Sequence, residues 1–283
     1  MNIKISVITT VYNVSEYIEK TINSVLSQTF TDWELILVND CSEDDSLDKI
    51  KQFNDNRIKL INNEVNIGAG KSRQVGIDNA KGDYIIFLDG DDWLNEECLE
   101  QMYNAAIKED ADIVNCKVEV LNSKLNLGKN DYQERFYNYL NNKLIKRNLF
   151  EKTHYSPLRI YEDINTLHRL LHWSKKNVKI DYVGYVYNIR PNSLTTSSYN
   201  AYKYAIYEAL SIMENVDYFE GMEFNYRHKY NAALVIKLYH SRIKNINENL
   251  KKSMIDEIET IRLWCDDKQN KIFKKIISNF MSK

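Results

Sequence analysis

The chain has 283 residues, of which 43% are hydrophobic and 28% charged, and carries a formal net charge of -2. That length can bury one large core, or one core with a smaller appendage, and the composition is that of a folded rather than a disordered chain. The near-neutral balance argues against a general nucleic-acid binder, which is usually basic, and no apolar run approaches the ~18 residues that a membrane span needs.

Ile3–Thr10 (IKISVITT) is a β-branched run suited to a central parallel strand, with Val11, Tyr12 and Asn13 at its carboxyl end. Behind it Tyr17, Ile18, Ile22, Val25 and Leu26 recur at helical spacing, with Ser15 as the expected N-cap. Trp33–Val38 predicts a second buried strand ending in Asn39 and Asp40. Leu47–Phe53 predicts a helix, and Ile58–Ile61 a short strand followed by the loop NEVNIGAGKS. Ser72–Ala80 predicts a third helix. Gly82–Trp93 (GDYIIFLDGDDW) then places a buried strand, Tyr84–Leu88, directly before Asp89, Asp91 and Asp92. Asn95 is expected to cap the next helix, with Glu96 and Glu97 in its favourable first turn. Asp112–Val120 is a further strand. Strands alternating with helices through short connections predict an α/β fold, a mostly parallel sheet with helices on both faces.

In such a sheet the strand carboxyl ends share one edge, where α/β proteins bind ligands. Three polar clusters fall there: Thr9–Asn13, Asn39–Asp45 and Asp89–Asp92. Tyr12 offers a ring for base stacking, and Asp40 can accept a hydrogen bond from a base N–H. Taken singly, Tyr12 reads equally well as a core aromatic and Asp40 as a turn residue; together they favour a nucleotide. The acidic triplet is either a solvated turn or a site where Mn²⁺ or Mg²⁺ joins one or two carboxylates to substrate phosphate. Cys41, Cys98, Cys116 and Cys265 lack metal or disulfide-frame spacing and read as reduced thiols of a cytoplasmic protein. The N-terminus runs straight into a strand pattern, so no signal peptide is expected.

The ordered segments SVITTVYN, SVLSQTFTDWELILVNDCSEDDS and NIGAGKSRQVGIDNAKGDYIIFLDGDD resemble the family 2 inverting glycosyltransferases, with their GT-A nucleotide-sugar fold. The resemblance covers roughly the first hundred residues. It implies that Thr10 and Tyr12 line the base pocket, that Asp40 reads the base and that Arg73 supports the same region. It also makes Asp89 and Asp91 the DxD element, with Asp91 the direct metal ligand and Asp89 near the ribose. Two positions depart from the pattern: Thr10 stands where proline is frequent, and Asn39 where a first aspartate is usual.

Further along, Asn122–Tyr132 is polar, contains Gly128 and reads as a boundary before the acceptor-facing half. Lys143–Phe150 (KLIKRNLF) resembles a segment that precedes the catalytic part. Glu162 and Asp163 follow Tyr161 and open a helix carrying Ile164, Leu167, Leu170 and Leu171. An acidic pair at a helix start is by itself ordinary dipole compensation. However, YEDINTLHRLLHWSKKNVKI followed by YVYNIRPNSLT resembles the later half of the same family. That implies Asp163 as general base and Glu162 as a supporting acid. Arg190, Ser193 and Thr195 either line the diphosphate or acceptor or form a surface loop. His168 and His172 have no third ligand in view and read as surface or packing residues. From Tyr199 the pattern is helical. The tail Lys268–Lys283 suits either a packing or dimerisation helix or one lying on an anionic membrane surface.

The expected organisation is therefore a nucleotide-sugar-binding half over residues 1–120, an acceptor and catalytic half over 121–198, and a helical C-terminal region over 199–283. The expected activity is metal-dependent inverting transfer from a UDP-sugar to a bacterial surface glycan or lipid-linked acceptor, in the cytoplasm, either free there or peripheral at the inner face of the membrane. Two rivals stand beside it. A noncatalytic nucleotide-sugar-binding module would need Asp91 but not Asp163. A sugar nucleotidyltransferase would need a Gly-rich basic phosphate loop where TTVYNVSEY stands.

Overall fold

The computed structural model describes residues 3–122, 139–153 and 162–190. In chain order these form β1 (Ile5–Val11), α1 (Ile18–Leu26), β2 (Trp33–Asn39), α2 (Ser46–Ile50), β3 (Ile58–Asn62), α3 (Ala69–Asp78) and β4 (Tyr84–Asp89). There follow β5 (Trp93–Leu94), α4 (Cys98–Glu109), β6 (Ile113–Leu121), β7 (Lys143–Lys146), a 3₁₀ turn (Arg147–Lys152), α5 (Glu162–Trp173) and β8 (Asn177–Asn188). All eight strands join one sheet in the order β3-β2-β1-β4-β7-β6-β8-β5.

Helical crossovers make β3, β2, β1 and β4 parallel. β7 then runs antiparallel to both β4 and β6, while β6 and β8 pair parallel and β5 closes the edge antiparallel to β8. The sheet is thus parallel where the sequence shows βα alternation and mixed beyond it. Every residue of β2 is buried, as a strand covered on both faces should be.

Side chains alternate between two cores. Val7, Val11, Leu35 and Leu88 pack with Ile18, Ile22 and Val25 of α1 and with Leu99 and Met102 of α4. On the other face Ile8, Phe87, Ile113 and Ile145 pack with Ile77 of α3 and with Leu167 and Leu170 of α5. α3 lies so close to β1 that a Cβ on Gly76 would sit 2.3 Å from Cγ2 of Ile8.

Neither residue expected as an N-cap caps its helix, and both make longer-range bonds. The Ser15 N–H donates to Asp44 Oδ2 at 2.9 Å, and α1 begins three residues later, after Tyr17. The Asn95 side chain donates to the Val183 carbonyl at 2.7 Å, and α4 follows Glu97 with no side-chain cap. Neither helix has a side-chain cap. α2 ends at Ile50 rather than Phe53, and α3 begins at Ala69, inside the expected loop. Most of the Asn122–Tyr132 boundary, Ser193, Thr195, the region 199–283 and its tail Lys268–Lys283 lie outside the described residues. Among the described residues no helix is long and apolar enough to cross a membrane.

Candidate active site

The carboxyl ends of β1 and β2 build the first part of the site. Register sets Thr10 beside Val38 on one side and Asp89 on the other. Tyr12, just beyond β1, is 45% exposed, which removes the core-aromatic reading. Asp40 is buried and its N–H donates to the Val11 carbonyl at 2.8 Å. Its carboxylate is engaged: Oδ1 accepts from the Ile67 N–H at 2.8 Å and from Asn63 Nδ2 at 3.0 Å, and Oδ2 accepts from the Gly68 N–H at 2.8 Å. Gly68 has φ 90 and ψ 155, a conformation essentially confined to glycine. Asp40 therefore folds the 63–68 loop around itself and sets the start of α3. Two carboxylate oxygens offer about four acceptor positions, so an acceptor position remains for a ligand.

Asn39 explains its own departure from the family pattern. Its Nδ2 donates to Asn62 Oδ1 at 2.6 Å while its Oδ1 accepts from Ser42 Oγ at 2.6 Å. An amide does both, whereas a carboxylate could not donate to Asn62. Asn13 and Cys41, directly after Tyr12 and Asp40, have φ 51 and φ 60. Left-handed non-glycine residues cluster where a site constrains the backbone.

The acidic turn after β4 is no solvated cap, because each of its carboxylates has its own partner. Asp89 Oδ1 accepts from Arg73 at 3.0 Å and Oδ2 from Asn141 Nδ2 at 2.7 Å. Asp91 pairs with the Arg190 guanidinium, which also lies 5.8 Å from the Tyr17 ring centroid. Asp92 is fully buried and accepts from the Tyr185 hydroxyl at 2.5 Å and from the Asn188 N–H at 2.8 Å. Burial, then the Asp89 charge, pushes the Asp91 carboxyl up against the pull of Arg190. Burial pushes Asp92 further, well above the usual carboxylate range, with Asp91 and Asp89 adding to it. Asp92 is thus an anchor that ties the turn to β8, whereas Asp89 and Asp91 are paired with polar and charged side chains nearer its surface.

Arg73 joins the two halves. From α3 it donates to Asp89 at the end of β4 and to Glu162 at the start of α5. Glu162 is 6% exposed. Burial raises its carboxyl to about 7, opposed by Arg73 and reinforced by the neighbouring charge of Asp163. Asp163, the next residue on α5, is only partly buried. Arg73, Asp89 and Glu162 are therefore in direct contact, Asp91 and Arg190 form a second pair, and Asp40 reaches them through α3.

Three neighbours of the acidic turn were not singled out by the sequence, although two of them fall in the YVYNIRPNSLT stretch that resembles the family. Tyr185 and Asn188 lie on β8 within YVYN, and Asn141 precedes KLIK. Asn141 Nδ2 also donates to the Tyr185 hydroxyl at 3.2 Å. Periodicity marks such residues as ordinary strand positions; only pairing across the sheet brings them to Asp89 and Asp92.

Among the described residues no cluster of three or more His, Cys, Asp or Glu is arranged to hold a metal. The donors that exist nevertheless fit a hard divalent cation that shares its shell with phosphate, since such a cation takes one or two carboxylates. Burial, and after it the charge of Asp89, disfavours ionisation of Asp91, a penalty that a bound cation would relieve as Arg190 does now.

Comparison with known proteins bears on the same residues. The family model described as "Glycosyl transferase family 2" matches residues 6–167, which span Tyr12, Asp40, Arg73, Asp91 and Asp163. The glycosyltransferase GlyA of Streptococcus pneumoniae serotype 4 is 28% identical over 74% of this chain and 34% of its own length. The UDP-Glc:alpha-D-GlcNAc-diphosphoundecaprenol beta-1,3-glucosyltransferase WfgD of Escherichia coli is 36% identical over 44% of this chain and 49% of its own. The chain thus spans between a third and a half of these relatives. Among solved structures, residues 1–349 of S. aureus TarS in complex with UDP-GlcNAc superpose with a TM-score of 0.67 at 21% identity, covering 80% of this chain and 69% of that one. This likeness establishes a GT-A fold.

Proposed function

We propose, since the chain belongs to glycosyl transferase family 2, that it moves a hexose or N-acetylhexosamine from a UDP-sugar to a hydroxyl of a bacterial surface glycan or lipid-linked acceptor, with inversion. The observation that carries this reading is the Arg73 bridge, which brings the Asp89 turn and the Glu162–Asp163 pair into one site. A nucleotide-binding module needs only the first of these. The relatives support the donor class: the name of WfgD specifies UDP-Glc, and TarS binds UDP-GlcNAc.

In this mechanism the Tyr12 ring stacks on the base, and Asp40 offers its remaining acceptor position to a base N–H. Asp89, held by Arg73 and Asn141, faces the ribose. Asp91 and Asp89 would hold Mn²⁺ or Mg²⁺, which when bound takes up charge on the leaving diphosphate. Arg190, paired with Asp91, supplies positive charge beside that same position. Glu162 is buried against Arg73 and so positions rather than reacts. Asp163 accepts the proton of the acceptor hydroxyl as that oxygen attacks the anomeric carbon, and the bond to UDP breaks with its electron pair leaving on the phosphate oxygen. One carboxylate suffices, because inversion needs no covalent intermediate.

A thermal-shift panel of nucleotide sugars with and without Mn²⁺, followed by UDP-release assays on the stabilising donors, tests the reading. Stabilisation by UDP-sugars and release of UDP are expected. Binding without turnover towards any acceptor extract would instead favour the module.

A further inference from the structure

The turn that carries Asp91 is fixed on both sides. The Thr21 hydroxyl of α1 is shared between the carbonyls of Gly90, at 3.0 Å, and Asp92, at 2.8 Å, and the Asp91 carbonyl accepts from Asn188 Nδ2 at 3.2 Å. The place of the Asp91 carboxylate is therefore set by the fold, and a new partner must come to it. The partner it has is Arg190, whose Nε donates to Asp91 Oδ2.

The two guanidiniums of the acidic turn are held differently. Arg73, with 8% of its side chain exposed, is tied to Asp89 and Glu162 at once. The Arg190 side chain is 23% exposed and reaches Asp91 from just beyond the end of β8. The backbone leading to it is fastened: the Asn188 N–H donates to Asp92 Oδ1 at 2.8 Å and the Ile189 N–H to the Leu121 carbonyl at 3.3 Å. Its guanidinium also lies 5.8 Å from the Tyr17 ring centroid, at the entry to α1. A long, partly exposed side chain on an anchored backbone can change partners by rotation alone. An ion pair with both side chains partly solvated is a modest stabiliser, so giving it up costs little.

A guanidinium and a divalent cation on one carboxylate repel each other at close range. Asp91 therefore holds a cation more weakly for as long as Arg190 stays. A nucleoside diphosphate carries more negative charge than Asp91, and its phosphate oxygens match the fork of a guanidinium.

We propose that Arg190 is the exchangeable counter-ion of Asp91: it competes with the divalent cation for this carboxylate, and the nucleoside diphosphate relieves the competition by drawing the guanidinium to its phosphates. Arg190 thereby couples cation binding to donor binding. This rests on the reading of Asp91 as the metal ligand in a nucleotide-sugar site.

The test measures Mn²⁺ affinity by electron paramagnetic resonance, without UDP and with UDP at the protein concentration. UDP affinity without metal is measured by calorimetry. The proteins are the wild type, Arg190→Gln, Arg190→Lys and Asp91→Asn. Without UDP, Arg190→Gln should bind Mn²⁺ roughly tenfold more tightly than the wild type, within the usual range of coupling between sites. With UDP present that advantage should disappear, and UDP alone should bind the variant several-fold more weakly, on the order of one lost charge-assisted contact. Arg190→Lys, which keeps the charge, should stay close to the wild type. A damaged fold lowers affinities and does not raise one of them, so the gain in Mn²⁺ binding separates exchange from a structural role. Unchanged or weaker Mn²⁺ binding by Arg190→Gln without UDP would overturn the proposal. So would a gain of equal size with UDP present, which would leave Arg190 on Asp91 throughout. Mn²⁺ binding by Asp91→Asn as tight as that of the wild type with UDP would instead remove Asp91 as the metal ligand.

Discussion

Arg73 donates to Glu162 across 89 positions of sequence, and the pair is almost fully buried. Through Arg73 it brings the end of β4, at Asp89, and the first turn of α5 to a common charge. A buried ion pair of this kind is a weak stabiliser, but removing one partner leaves the other uncompensated. Its consequence is geometric: whatever fixes Asp89 also fixes the residue beside Asp163.

That pairing predicts a pH dependence. Burial raises the Glu162 carboxyl to about 7 from the usual 4.5, so the native state binds more protons than the unfolded chain between those values. The contribution of Glu162 to stability therefore falls as pH rises from about 4.5 to about 7, and the full penalty stands above 7. Glu162→Gln keeps a carbonyl for Arg73 but removes the titration. Denaturant unfolding at pH 5 and pH 8 should show the variant losing less stability over that interval than the wild type, by on the order of a few kcal/mol. An equal loss in both proteins would place the titration elsewhere.

The donor site gives a second prediction. UDP with Mn²⁺ should raise the melting temperature by binding the native state preferentially. Asp91→Ala should remove the metal-dependent part of that rise. Asp40→Ala should do more than weaken UDP. Its carboxylate accepts three hydrogen bonds from the 63–68 loop, so the unliganded protein should also lose roughly 1–3 kcal/mol. Equal stabilisation by GDP, CMP and UDP would contradict base reading by Asp40.

The contrast between these residues shows what a sequence can carry. β1, β2 and β4 were legible because each is a short apolar run ending in a polar cluster, and parallel strands put those ends on one edge. The contact of Arg73 with Glu162 was not, since nothing local relates α3 to α5. Asp92 shared its spacing with Asp89 and Asp91, but its side chain faces Tyr185 and the Asn188 N–H inside the protein. Spacing names the cluster; direction separates an anchor from a ligand. Ser15 and Asn95 are not caps, since their helices start later, after Tyr17 and Glu97, and their bonds to Asp44 and Val183 were invisible locally.

Packing around α3 supplies a third prediction. Gly76 lies one turn after Arg73, and a Cβ there would meet Ile8 Cγ2 at 2.3 Å. Gly76→Ala must push α3 away from β1, and overpacking of this kind costs about 1–3 kcal/mol. The displacement should carry Arg73 away from Asp89 and Glu162 together. Denaturant midpoint and UDP affinity should therefore fall in the same variant. A destabilised protein with unaltered UDP affinity would show that Arg73 tolerates the shift.

The last prediction separates binding from chemistry at Asp163. A general base acts on the acceptor, so its loss should leave the donor site intact. Asp163→Asn keeps the size and most of the hydrogen bonding but cannot take a proton. Turnover should drop by about 10²–10⁴, while UDP affinity measured by calorimetry barely moves. Asp91→Ala should lose donor affinity and turnover together, because the proposed mechanism places its carboxylate on the donor side. Glu162→Gln stands between them: it is 6% exposed and bound by Arg73, so it cannot reach an acceptor without breaking that pair. Its effect on turnover should be smaller than that of Asp163→Asn, and should come with a modest change in UDP affinity transmitted through Arg73 and Asp89. An inactive Glu162→Gln beside an active Asp163→Asn would reverse the two roles, and would require Arg73 to release Glu162 when the acceptor binds.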